Sequence, residues 1–433
     1  MASTSVPIIL GIDFGTSKLC ASLWIDGNVT ILENSRGEKK VPAFAVLEQD
    51  ERTGKYRIDI GRPAKDLSAV QPYSCLFNLL YFANTTEAAA RDVITRERLP
   101  FIYSLHEFSP RFSCTLAPGK PTVLLVLLLA ELIRDMRDQA ELKVQKLIKK
   151  CVITVPTHWN QSGYYYLNQA AQMAGFQDIQ FIHTTKAALM GCMTKTITPE
   201  FAERENIFRF LVVDFGAASC SVIMYYRKLD QKTMTQISQI YTCPGGNFLD
   251  WKLLEHCADE FQRQYGVNVM VDCASVHRIR LACEDAKIRL STAKFCQIKI
   301  GNLKNYGQDL AYTLTLAAFE DICGPVVQTI IEQMRTAIQA VEGSSGGSHS
   351  LRILLLGGGS RIPLVRKLIG WAFPGIMERS VLGYAEEAAA LGAASFGGHN
   401  SYNVARTTRK TAVPQPAPVA HQVTYSNRHS TYD

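Results

Sequence analysis

Two stretches decide the fold: Ile12-Asp13-Phe14-Gly15-Thr16-Ser17 near the start of the chain, and Val213-Asp214-Phe215-Gly216-Ala217-Ala218-Ser219 in its second half. Each follows a short apolar run, Ile8–Ile12 or Phe210–Asp214, and precedes another, Leu19–Trp24 or Ser221–Tyr226. Each therefore reads as a strand ending in aspartate, a turn of small residues and a second strand. Two such hairpins predict two related lobes facing each other. A turn without bulky side chains lets backbone N–H groups approach phosphate oxygens and form an anion-binding nest. Hydroxyls at Thr16, Ser17 or Ser219 can add hydrogen bonds. Asp13 and Asp214 can hold Mg²⁺, which takes one or two carboxylates and keeps waters. One Asp-Phe-Gly is equally well a plain tight turn, whereas two copies in phase point to a triphosphate gripped from both sides.

Working outward, strand-like runs at Val152–Pro156 and Ile353–Leu356 alternate with segments of helical period, the signature of an α/β protein. Helices are expected at Val126–Lys149, Ser162–Ala174, Leu253–Tyr265, Val276–Ala293, Pro363–Ala372 and Ala385–Phe396, and at Ala317–Val341 with a break near Pro325. Gly343–Ser350 reads as a surface turn. Pro244-Gly245-Gly246 and Leu356-Gly357-Gly358-Gly359-Ser360-Arg361 each place glycine after an apolar run, where backbone can come close to a ligand. Neither is a Walker P-loop nor a dinucleotide turn.

Composition excludes several classes. The 433 residues suffice for roughly three domain-sized units. Hydrophobic residues make up 47% and charged residues 20%, the balance of an ordinary globular protein, and the net charge of +7 is too mild to argue for nucleic acid. No apolar run approaches the roughly 20 residues of a membrane span. Met1–Leu10 carries no basic residue, which argues against a secretory signal. Twelve cysteines without a Cys-x-x-Cys pair read as reduced thiols in a cytoplasmic or nuclear protein. Residues 399–433 carry Arg406, Arg409, Lys410 and Arg428 against the single acid Asp433, with Pro414, Pro416 and Pro418, and are expected to form a disordered basic tail.

Five motifs together are similar to the nucleotide-binding domain of the 70-kilodalton heat-shock chaperones: Gly11-Ile12-Asp13-Phe14-Gly15-Thr16-Ser17, Glu33-Asn34-Ser35-Arg36-Gly37, Val152-Ile153-Thr154-Val155-Pro156, Ala282-Cys283-Glu284-Asp285-Ala286-Lys287, and Gly357-Gly358-Gly359-Ser360-Arg361-Ile362-Pro363. The resemblance spans residues 8–397 and implies an actin-like ATPase fold of two ribonuclease-H-like lobes around a cleft for ATP or ADP with Mg²⁺. It divides the chain into lobe I at 1–198 with an insertion at 44–119, lobe II at 199–398 with an insertion at 244–319, and the tail. It implies that Asp13, Asp214 and Ser219 serve catalysis, Asp13 and Asp214 also holding the metal. It places Gly15, Thr16, Ser17, Gly216, Gly245 and Gly246 on phosphates and ribose. Glu284, Lys287, Ser291, Gly357, Gly358 and Arg361 fall around the adenosine.

The chain also departs from this family. Through Pro72 and Phe77, the phosphate-contacting lysine position reads Leu80. An acidic position becomes Thr184 in His183-Thr184-Thr185-Lys186-Ala187-Ala188, the second aspartate after the second loop becomes Ser221, and the adenine-stacking arginine becomes Ile288. Losing one positioned charge in phosphoryl transfer costs about 10²–10³ in rate, so nucleotide binding with weak or absent hydrolysis is expected. The alternative is an active divergent ATPase subunit working with a separate client-binding partner. A peptide-binding domain and its lid are not expected in 433 residues. Nucleotide is the expected ligand and co-chaperones or another chaperone subunit the expected partners, with no membrane or nucleic-acid role. Trp159-Asn160-Gln161-Ser162-Gly163-Tyr164-Tyr165-Tyr166 occupies the co-chaperone-facing segment, with at least one tyrosine expected in the core.

Overall fold

In the computed structural model the described residues are 8–50, 52–107, 109–114, 117, 119–196, 207–228, 235–301, 303, 307–342, 351–377 and 386–408. The first half is built on a sheet ordered Asp178–His183, Lys150–Val155, Ile9–Phe14, Lys18–Ile25 and Asn28–Ile31, with Lys40–Pro42 also paired to Lys18–Ile25. The second half repeats the centre of this pattern as Thr235–Gln236, Ser219–Lys228, Ile207–Phe215 and Leu351–Leu356, with Tyr241–Pro244 also on Ser219–Lys228. In both sheets the aspartate-bearing strand runs antiparallel to its hairpin partner and parallel to a later strand on its other side.

The registers coincide. Asp13 opposes Cys20 and Phe14 opposes Leu19; Asp214 opposes Ser221 and Phe215 opposes Cys220. The turns close alike, Gly15 N–H donating to the Lys18 carbonyl at 3.1 Å and Gly216 N–H to the Ser219 carbonyl at 3.0 Å. The sequence duplication is therefore a duplication of geometry.

Ile9, Leu10 and Ile12 are all buried because helices cover both faces of the sheet, which explains a continuous apolar run in place of alternation. Leu10, Ile12 and Phe14 share a core with Leu128 and Leu132 of the helix Leu125–Val144 and Leu167 of Gln161–Met173. In the second half, Leu211, Val213 and Phe215 pack with Leu254 and Phe261 of Gly246–Tyr265 and Ile330 and Met334 of Leu316–Glu342. Two helices, Thr184–Thr196 and Ala388–Thr408, join the halves. Ala187 packs with Ile9, Trp24 and Val152 of the first sheet, while Ala188, Leu189 and Cys192 pack with Phe210, Val212, Ile223 and Leu354 of the second. The helices touch at glycines: a Cβ on Gly191 would lie 2.0 Å from the Ala388 carbonyl oxygen.

Most expected elements form within a few residues, and three differ instructively. Leu316–Glu342 runs unbroken through Pro325, since burial of Phe319, Cys323, Val327, Ile330 and Ile331 outweighs the one hydrogen bond that proline removes. Gly246–Tyr265 begins at Gly246, not Leu253, because its first amides are taken by the second hairpin: Gly246 N–H donates to the Gly216 carbonyl at 2.9 Å and Asn247 N–H to that of Ala217 at 2.8 Å. The last helix continues to Thr408, so the tail boundary drawn at 399 from composition falls inside a helix; His399 Nδ1 lies 2.7 Å from the Ser395 carbonyl, and its ring 5.2 Å from that of Trp24. Residues 409–433, like the expected turn at Gly343–Ser350, lie outside the described residues.

Candidate functional site

A cavity of about 660 Å³ opens between the two hairpins, a size typical of small-molecule sites. The first hairpin contributes Asp13, Gly15, Thr16 and Ser17, and the second Gly216. Gly246 enters from the helix that caps the second hairpin, Glu284, Lys287 and Ser291 from the helix Cys273–Arg289 and the turn after it, and Gly358 and Arg361 from the loop after Leu351–Leu356. Elements far apart in sequence thus bring eleven of the expected residues to one cavity. Ile288 also lines it.

Gly245 and Gly357 stand behind the lining. A Cβ on Gly245 would lie 2.4 Å from the Ala217 carbonyl oxygen, and one on Gly357, whose φ is +74°, 2.2 Å from that of Phe215. These two glycines let the loops press against the second hairpin. Asp214 and Ser219 border the second hairpin turn without lining the cavity themselves: Asp214 is the penultimate residue of the strand Ile207–Phe215, and the Ser219 carbonyl closes the turn.

Asp13 accepts a hydrogen bond from Thr154 Oγ1 at 2.6 Å. Burial nevertheless pushes its carboxyl up to about 6, the Thr154 bond opposing. Burial, reinforced by the Asp13 charge, pushes Asp214 up to about 7. Two partly buried carboxylates close enough for the charge of one to raise the proton affinity of the other, with no ion pair to a cation among the described residues, could hold a divalent cation. Mg²⁺ takes one or two carboxylates and otherwise waters and phosphates, a demand that two carboxylates can meet.

Residues that the sequence reading passed over complete the rim. Glu386 receives Lys40 Nζ at 2.7 Å and Arg361 Nε at 2.6 Å. Against the desolvation of its own burial, Lys40, Arg361 and Lys18 hold its carboxyl below the usual range. Lys65 Nζ lies 2.5 Å from Glu284 Oε2. Lys287 Nζ donates to Asp250 Oδ2 at 2.6 Å and to the Gly246 carbonyl at 3.0 Å, a buried pair that fixes the start of the capping helix. Nothing in the local sequence of these partners marks them as pairs.

Leu80 lies 3% exposed in the first hydrophobic core, outside the cavity lining. Ser221 is buried opposite Asp214, Thr184 starts the joining helix, and Lys186 is exposed; none lines the cavity. Of the three tyrosines, Tyr164 packs between Trp159 and Phe181, Tyr166 is half-buried, and Tyr165 is 58% exposed.

The two halves also clasp each other. Tyr73 Oη donates to Asp272 Oδ1 at 2.9 Å, His277 Nε2 lies 3.1 Å from Ser68 Oγ, and Asn247 Nδ2 donates to Asn78 Oδ1 at 3.2 Å. Arg280 reaches the Glu97 carbonyl and lies over the rings of Phe77 and Trp251.

The amino-acid sequence that builds this cavity matches the Hsp70 protein family over residues 9–407. The chain belongs to the Hsp70 family. Membership carries the actin-like ATPase fold, in agreement with the paired sheets. Over 392 residues the chain is 27% identical to a ribosome-associated molecular chaperone of Saccharomyces cerevisiae, covering 90% of this chain and 60% of that protein. It is 24% identical over 369 residues to a heat shock 70 kDa protein of Trichophyton rubrum, covering 84% and 54%. The chain thus spans 60% of the length of the first of these Hsp70 relatives. No helix among the described residues is long and apolar enough to cross a membrane.

Proposed function

We propose that this Hsp70-family chain binds ATP or ADP with Mg²⁺ between its two hairpins and hydrolyses ATP weakly or not at all. The observation that carries the reading is a division within the site. The hairpins bring Asp13 and the glycine turns to the cavity, where they would cradle phosphate, while Leu80 is buried in a hydrophobic core and Thr184 and Ser221 bring no charge. Asp13 and Asp214 would hold the metal and Gly15, Thr16, Ser17 and Gly216 the phosphates. Glu284, Lys287, Ser291, Gly358 and Arg361 would face the nucleoside. The metal, when bound, offsets phosphate charge; the residues of the chain orient the nucleotide and shield it from water. The lobes, 1–198 and 199–398, would close on the ligand through the Tyr73, His277 and Lys65 contacts, so that nucleotide sets lobe closure for a chaperone partner. Twelve cysteine thiols, eleven of them buried, support a reducing cytoplasmic or nuclear setting.

The intact Asp13–Thr154 pair beside Asp214 favours the second reading, an active but slow ATPase subunit acting with a client-binding partner. Calorimetric titration with Mg-ATP and Mg-ADP, paired with single-turnover hydrolysis, separates the two. Binding with background hydrolysis supports the first, and turnover at an ordinary chaperone rate overturns it. If neither nucleotide binds nor raises the melting temperature, both readings fail.

A further inference from the structure

The cations around the cavity differ in one respect. Lys40 and Arg361 share Glu386, Lys65 is paired with Glu284, Lys287 with Asp250, and Arg289 with Asp285 at 2.8 Å. Lys18 also lines the cavity but has no ion pair within 4.0 Å and no side-chain hydrogen bond among the described residues.

Lys18 is held in place at its backbone. Its carbonyl closes the first hairpin turn by accepting from Gly15 N–H, and its Cα is in register with Pro42. The shared hairpin geometry makes it the counterpart of Ser219, whose carbonyl closes the second turn in the same way. At this position one hairpin therefore carries a hydroxyl that stays off the cavity lining and the other an ammonium that lines it. Burial disfavours that ammonium, and the acids whose charges favour it, Glu284 and Glu386, already serve other cations. An unpaired ammonium that is partly desolvated gains most from an anion entering the cavity itself.

We propose that Lys18 is the counter-ion of the bound nucleotide's phosphate chain, the positive charge that Leu80 does not bring to this site. This rests on the nucleotide reading above but concerns the phosphates alone, which makes it separable. Its charge is recruited from the hairpin turn, next to the loop amides, so it contributes to phosphate affinity and nothing to recognition of the base.

The test uses the full chain and its Lys18→Met and Lys18→Arg variants, each checked for an unchanged melting temperature. Adenosine, Mg-ADP and inorganic tripolyphosphate are titrated calorimetrically. The expected result is a loss of about 10- to 100-fold in Mg-ADP and tripolyphosphate affinity for Lys18→Met, with adenosine affinity unchanged and Lys18→Arg recovering most of the loss. The loss should shrink as salt is raised. Equal Mg-ADP affinity in wild type and Lys18→Met overturns the assignment while leaving nucleotide binding intact, as does an equal loss for adenosine. If wild type binds neither adenosine nor Mg-ADP, the nucleotide reading fails. Tripolyphosphate binding that depends on Lys18 would then still support an anion site, and its absence would overturn that too.

Discussion

His277 gives the interlobe clasp a calculable pH dependence. It is fully buried on the helix Cys273–Arg289, its Nε2 3.1 Å from Ser68 Oγ and its ring 5.1 Å from that of Phe77. Burial, then the charges of Arg280 and Lys65, push its pKa down to about 3. In the unfolded chain it would titrate near 6.5. The native state therefore binds fewer protons than the unfolded state between these values, and stability falls as pH drops below about 6.5 and goes on falling until about 3. At pH 5 the gap is about 1.5 units, or about 2 kcal/mol lost relative to pH 7.5 through this one residue. Urea unfolding at pH 7.5 and 5.0 measures it. The His277→Gln variant carries its own packing cost at both pH values, so the comparison is between the two differences. Wild type should lose about 2 kcal/mol more than His277→Gln on acidification. An identical pH dependence for the two proteins would refute the reasoning, since it would mean that His277 is solvated or already charged in the native state.

Two substitutions examine the site from other directions. Leu80→Lys places an ammonium in the first core, so it should cost at least ~3 kcal/mol in urea unfolding and leave single-turnover hydrolysis at background; a stable variant with faster hydrolysis would show that position 80 faces the phosphates. Adding Thr184→Glu and Ser221→Asp does not remove that cost. Lys287→Met should cost about 3–5 kcal/mol by stranding the Asp250 carboxylate, and the double variant with Asp250→Leu should recover most of it. A single-variant cost below ~1 kcal/mol would mean that the pair is solvated.

The duplicated hairpins were legible because a hairpin is local: an apolar run, an aspartate at its end and a turn of small residues lie within a dozen positions, and strand periodicity fixes the rest. That pattern alone yielded the two-lobed α/β plan and the positions of Asp13, Gly15, Thr16, Ser17 and Gly216 at the cavity. Helix ends were harder to place, because tertiary partners set them. The amides of Gly246 and Asn247 are satisfied by the second hairpin, and Pro325 is carried through a helix by its buried neighbours.

What tertiary structure decided is which charges meet. Lys40, Arg361 and Glu386 come from three separate segments, and Lys65 and Glu284 from opposite halves, so nothing in their local sequence foretells their pairing. Only once those pairs form does Lys18 emerge as the lining cation without a partner among the described residues. Likewise Gly245 and Gly246 are neighbours with the same permissive backbone, yet one packs behind the hairpin and the other lines the cavity. Secondary structure follows from backbone hydrogen bonding and side-chain period, which the sequence carries within short windows. Charge pairing and desolvation depend on distances through space, which only the packed chain fixes.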